Sequence, residues 1–108
     1  MTSPTMRVKL PKSVTAGAPF TVRTRITHPM HTGLRRDSDG ELVPRQIINR
    51  FVVRFNGTEV FSASLEPAIS ADPYFEFELV VHDDGDLDFE WIDDDGASFS
   101  LQRRVNVL

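Results

Sequence analysis

Residues 51–65 read FVVRFNGTEVFSASL. Phe51, Val53 and Phe55 fall on one face of an extended chain. After the turn, Phe61, Ala63 and Leu65 alternate against Val60, Ser62 and Ser64. A period of two is the signature of a strand with one buried face. Between the runs lies Asn56-Gly57, suited to a two-residue type I′ turn because both central positions there need positive φ. The stretch therefore predicts an antiparallel hairpin with one apolar face.

The same alternation recurs on both sides. Met6, Val8 and Leu10 alternate with Arg7 and Lys9. Phe20, Val22, Thr24 and Ile26 alternate with Thr21, Arg23, Arg25 and Thr27. Phe75, Phe77, Leu79 and Val81 enclose Glu76 and Glu78, and Leu87, Phe89 and Trp91 enclose Asp88 and Glu90. The last run begins with Phe99 and Leu101 inward, but strict alternation would bury Arg103, so a bulge is expected near Gln102–Arg104. Gly17, Asp83-Asp84-Gly85 and Asp93–Gly96 punctuate the runs as turns. No segment keeps helical spacing, and a single short turn at Ile47–Asn49 is the most that is expected.

Seven short strands with one apolar face each pack most simply as an all-β, immunoglobulin-like antiparallel two-sheet sandwich. A length of 108 residues makes one domain, 1–108, with residues 1–5 as a flexible tail. The chain has no Cys, which excludes disulfides, thiolate metal sites and a Cys nucleophile. No apolar run is long enough to span a membrane, and the first residues lack the pattern of a secretory signal.

Charge is unevenly distributed. Residues 1–54 carry a net +7 and residues 55–108 a net −11, within an overall −4. The overall sign argues against nucleic acid as a partner. In an immunoglobulin-like order the second strand neighbours the fifth and the third neighbours the sixth. Arg23 and Arg25 then face Glu76 and Glu78, and Arg54 faces Asp88 or Glu90, as cross-strand ion pairs. Arg35, Arg36, Arg45 and Arg50 remain outside this explanation.

All four lie in or beside residues 28–45, HPMHTGLRRDSDGELVPR, a segment without strand or helix period. Loops of that length in compact domains usually serve contact or function. His28, Met30 and His31 offer two imidazoles and a thioether, a donor set suited to copper. DSDG at 37–40 matches the start of a calcium loop only in part, because position twelve is Ile48 rather than Glu, and it reads as a plain turn. No nucleophile motif or phosphate-binding glycine loop is present, so no enzyme and no cofactor is expected. A second irregular stretch, SLEPAISADPYF (64–75), brings Pro67, Ile69 and Tyr74 as candidate contact residues.

Residues 27–77 carry HPM-x-TG, an R-x-D-x-x-G turn, PR-x-IIN, F-NG-x-EVF and PA-x-SA-x-PY, in that order. In these motifs the chain resembles the SoxZ family, with one departure: Asp72 stands where the family more often has Asn. The resemblance implies an immunoglobulin-like subunit of the thiosulfate-oxidation (Sox) sulfur carrier. Such a subunit has no catalytic residue and pairs with SoxY, whose cysteine near the C-terminus carries the substrate. It also implies a periplasmic location, reached by export with SoxY, and contact with the other Sox enzymes that act on the carrier. On this reading His28, Met30, Arg35, Arg36, Arg45, Ile47, Asn49, Pro67, Ile69 and Tyr74 form the partner surface, and an uncovered face could let the isolated chain self-associate. The alternative is a periplasmic copper-binding sandwich.

Overall fold

The computed structural model describes residues 4–28, 30, 33–34, 36–43, 45–65 and 72–108. Each alternating run becomes a strand: β1 (Met6–Lys9), β2 (Phe20–Ile26), β3 (Ile48–Phe55), β4 (Thr58–Ser64), β5 (Tyr74–Leu79), β6 (Gly85–Asp93) and β7 (Ser98–Val105). They pair antiparallel in two sheets, ordered β1-β2-β5 and β4-β3-β6-β7. This is the immunoglobulin-like sandwich that the patterning implies, with β2 beside β5 and β3 beside β6.

The Asn56-Gly57 turn has positive φ at both residues, 49° and 87°. Asn56 also reaches outside its hairpin. Its side-chain oxygen accepts the Asp86 N–H at 2.9 Å, and its own N–H donates to the Asp86 carbonyl at 3.0 Å. The chain passes close beneath at Gly85, where a Cβ would lie 2.5 Å from Phe55 Cζ and 2.6 Å from the Asn56 side chain. Packing, rather than φ, requires glycine there.

Aromatic rings join the sheets. Phe51 of β3 stacks on Phe75 of β5 at a centroid distance of 5.1 Å, and Phe61 of β4 stacks on Phe77 of β5 at 4.2 Å. Phe51 also lies 4.9 Å from Trp91, which is fully buried as its inward position predicts. Burying one such side chain stabilises the fold by roughly 1.5–3 kcal/mol. Among the described residues the Trp91 indole Nε1 has no hydrogen-bond acceptor.

Four details differ from the sequence reading. Pairing of β6 with β7 runs unbroken from Gly85↔Val105 to Ile92↔Ser98, so there is no bulge near Gln102–Arg104. Arg103 keeps the inward parity and still reaches solvent, because β7 is a terminal strand of its sheet. The register irregularities fall instead on β3, between Val53 and Arg54 and between Ile48 and Arg50. Ile47–Asn49 forms no separate turn, since β3 already begins at Ile48.

The fourth detail is the charge register. Arg23 faces Glu76 and pairs with it at 2.9 Å, as expected. Arg25, however, faces Tyr74, and Glu78 faces Thr21. The Arg25 guanidinium lies over the Tyr74 ring, 5.5 Å from its centroid. On the other sheet Arg54 pairs with Glu90 at 3.1 Å, Arg50 with Glu59 at 3.7 Å and Arg104 with Asp86 at 3.5 Å. Arg50 therefore joins the cross-strand pairs. Hydrogen bonds from Ser98 and then Arg54 hold the Glu90 carboxyl below its ordinary range.

Candidate functional site

The long irregular segment between β2 and β3 is fastened at both ends. At the β2 end His28 is buried, and its main chain exchanges two hydrogen bonds with Asp72. The His28 N–H donates to Asp72 Oδ1, and the Asp72 N–H donates to the His28 carbonyl, both at 2.8 Å. Asp72 has φ 55°, a left-handed conformation that Asn and Asp tolerate better than most residues. Either Asp or Asn can also supply the accepting side-chain oxygen that this position uses.

The His28 ring accepts through Nδ1 from the Met30 N–H at 3.0 Å. Met30 is buried, with φ 54°, and its Sδ accepts the Ile48 N–H at 3.2 Å. A non-glycine residue in that region is held there by its surroundings. His28 and Met30 thus connect the end of β2 to the start of β3.

At the β3 end Asp94 is a hub. Arg45 reaches it with two nitrogens, Nε at 2.9 Å to Oδ2 and a terminal nitrogen at 3.2 Å to Oδ1. The Asn49 amide donates to Oδ1 at 3.0 Å and the Ile47 N–H to Oδ2 at 3.2 Å, while the Asp94 N–H donates to the Ile47 carbonyl at 3.0 Å. Arg45 above all, then Asn49 and the Ile47 N–H, hold the Asp94 carboxyl below its ordinary range against partial burial. A bidentate guanidinium–carboxylate pair fixes orientation as well as charge.

The structure thus brings six residues together at the start of β3: His28, Met30, Arg45, Ile47, Asn49 and Asp94. Ile47 is completely buried, so it can shape a contact surface only through its neighbours. Asp94 was missed from sequence because DDDG at 93–96 reads as a turn, and its partners lie 45 to 49 residues away. That turn is real: the Asp93 carboxylate accepts the Asp95 and Ala97 N–H groups, each at 2.9 Å.

Arg36 stands apart. It donates to the Gly40 carbonyl at 2.8 Å across a small turn closed by the Arg36↔Leu42 bridge. Inside that turn Asp37 Oδ1 accepts the N–H groups of Asp39 and Glu41, at 2.9 and 3.0 Å, so DSDG is a side-chain-closed turn. Leu34 and Leu42, 86 % and 54 % exposed, flank Arg36. They are contact candidates whose signal in the sequence is an apolar side chain in a loop without a periodic partner. Tyr74, 47 % exposed, belongs to neither cluster and lies on the outer face of the other sheet beside Arg25. Arg35, Pro67 and Ile69, together with His31 of the copper alternative, lie outside the described residues. Among the described residues no three His, Asp or Glu side chains converge as a metal site.

Comparison with known proteins adds the following. The sequence model of the SoxZ family, described as sulphur oxidation protein SoxZ, matches residues 6–103. No curated protein matches the chain. Among solved structures, a superoxide reductase (neelaredoxin) from Ignicoccus hospitalis superposes with a TM-score of 0.74 at 20 % identity, over 96 % of this chain and 80 % of that one. The sulfur carrier protein SoxY from Chlorobium limicola f thiosulfatophilum superposes with a TM-score of 0.64 at 16 % identity, over 94 % of this chain and 74 % of that one. At such identities the two structures show a shared fold.

Proposed function

The chain belongs to the SoxZ family of sulphur oxidation proteins, and from that membership we propose that it is the non-catalytic scaffold subunit of a SoxYZ-type sulfur carrier. In this role it holds a SoxY-like subunit whose cysteine bears the substrate. The observation that carries the reading is the family match over residues 6–103. The chemistry agrees with it. These 108 residues contain no cysteine, so none of them can hold a covalent sulfur adduct on a thiol.

The loop between β2 and β3 supports a scaffold role. Among the described residues, the polar groups at its two ends are engaged in backbone and side-chain hydrogen bonds, which makes those ends stiff. Arg36, Leu34 and Leu42 project from this base, and apolar anchors beside an arginine suit a protein contact. By the same reading the protein works in the periplasm beside the enzymes that load and oxidise the carrier.

Copper binding is the weaker reading. His28 Nδ1 and Met30 Sδ each accept a backbone N–H. A metal using those atoms would leave two buried donors unsatisfied, at about 1–3 kcal/mol each.

Co-expression with a SoxY-like protein, followed by size-exclusion chromatography, tests the assignment. The expected result is a stable one-to-one complex that Arg36→Glu with Leu42→Asp weakens. Separate elution of the two chains at micromolar concentration would overturn the reading.

A further inference from the structure

β1 and β2 place four cations on the outer face of the three-stranded sheet in two facing pairs. Arg7 stands opposite Arg25, and Lys9 stands opposite Arg23. Like charges directly across a strand pair are unfavourable. Arg23 is answered by Glu76, and Arg25 lies over Tyr74. Among the described residues Arg7 and Lys9 make no ion pair. All four cations border a groove of about 600 Å³ that Arg103 of β7 also lines. Among the described residues, its lining has five cationic side chains and no carboxylate.

Edge protection does not account for this arrangement. Charged side chains on a terminal strand deter edge-to-edge aggregation, which would explain Arg7 and Lys9 alone. β2 is the central strand of its sheet, so Arg23 and Arg25 have no edge to guard. Shortage of acid does not account for it either, because the chain has 16 acidic residues against 12 Lys and Arg.

We propose that this groove docks an acidic, extended segment of a partner protein laid along β1. Arg7 and Lys9 are two residues apart, as are Arg23 and Arg25, so the cations repeat at about 6.6–6.8 Å along each strand. Carboxylates at alternate positions of an extended segment repeat at the same distance. Among the described residues no strand pairs with the outer edge of β1, which leaves its backbone groups there to an added strand. The exposed Tyr74 ring and the half-buried Met6 and Val8 supply apolar contact beside the charges. A single small oxoanion would occupy little of such a groove and stay largely hydrated. Nucleic acid is opposed by the net charge of −4. The proposal is independent of the carrier assignment.

The test is a titration of the isotopically labelled full chain, followed by two-dimensional NMR. The probe is a blocked octapeptide of alternating Asp and Val. The expected result is saturable shifts confined to β1, β2 and Tyr74. Affinity should fall about tenfold in the double variant Arg7→Gln with Lys9→Gln, and should fall again with added salt. Both positions are exposed, so an unchanged spectrum elsewhere will show that the variant is folded. Five outcomes overturn the proposal. They are no binding, equal binding of an Asn–Val octapeptide, displacement of the peptide by sulfate at equal charge concentration, tighter binding of a DNA octamer than of the acidic peptide, and self-association of the chain through the same residues in place of peptide binding.

Discussion

The start of β3 and the outer face of β1–β2 handle charge in opposite ways. At the start of β3 charged and polar groups meet complements. Asp94 receives Arg45, Asn49 and the Ile47 N–H, while Met30 and His28 accept backbone N–H groups. On β1–β2, Arg7 faces Arg25 and Lys9 faces Arg23. The first region is chemically rich in sequence and proves to be a fastening. The second is ordinary in sequence, two alternating strands with polar outer positions, and proves to be a face where Arg23 meets Glu76 and Arg25 meets Tyr74 while Arg7 and Lys9 make no ion pair among the described residues. Polar residues gathered in a loop can thus serve the fold itself, whereas cations set opposite one another on a regular sheet work against it.

That contrast can be broken from either side. The largest effect is expected for Met30→Ala. It removes a buried side chain and the acceptor for the Ile48 N–H, and should lower stability by about 3 kcal/mol in urea unfolding. Met30→Leu, which keeps the volume and loses the sulfur, should cost about 1 kcal/mol. A loss as large as that of Ala would mean that the thioether acceptor, rather than packing, holds the segment. Next, Asp94→Ala strips the hub of its acceptor and should cost about 2 kcal/mol, read as a shift of the urea midpoint. No change would show that the Arg45 and Asn49 contacts are incidental.

Acid gives a smaller, graded test. The Asp94 and Glu90 carboxyls are held below their ordinary range, so they bind protons less readily folded than unfolded. Their contribution is fully present above the ordinary carboxylate pKa of about 4 and disappears as pH falls through the lower folded values. Unfolding midpoints measured from pH 7 down to pH 3 should drop, and should drop less in Asp94→Asn. Equal slopes would detach Asp94 from acid sensitivity. The smallest effect, of opposite sign, is expected at Arg7→Thr. Relief of the Arg7–Arg25 opposition should leave stability unchanged or raise it by up to about 0.5 kcal/mol. A destabilisation would show that Arg7 already has a use inside the fold.

The strands and their sheet neighbours were legible because both depend on local periodicity and a few turn dipeptides. Asn56-Gly57 specified its hairpin, and alternation placed Trp91 and Phe51 in the core. Register was less legible. One residue pair decides whether Arg25 meets Glu78 or Tyr74, and that choice is made by the whole β2–β5 interface. The loop ends were least legible. Nothing near Arg45 announces Asp94, since the contact forms only when the β6–β7 turn folds over the start of β3. The expected bulge at Gln102–Arg104 rested on the premise that inward parity means burial, and a terminal strand breaks that premise.

The chain contains one tryptophan and one tyrosine, and the fold sends them to different places. Trp91 is sealed in the aromatic core against Phe51, whereas Tyr74 lies under Arg25 at the rim of the cationic groove. Each ring is thus a built-in optical label for one region. Tryptophan emission, blue-shifted in the native state, should redden only when the sandwich opens. The ring signals of the lone tyrosine should move when something settles in the groove, while the tryptophan stays silent. Loss of fold and occupation of the surface can therefore be told apart in unlabelled, unmodified protein.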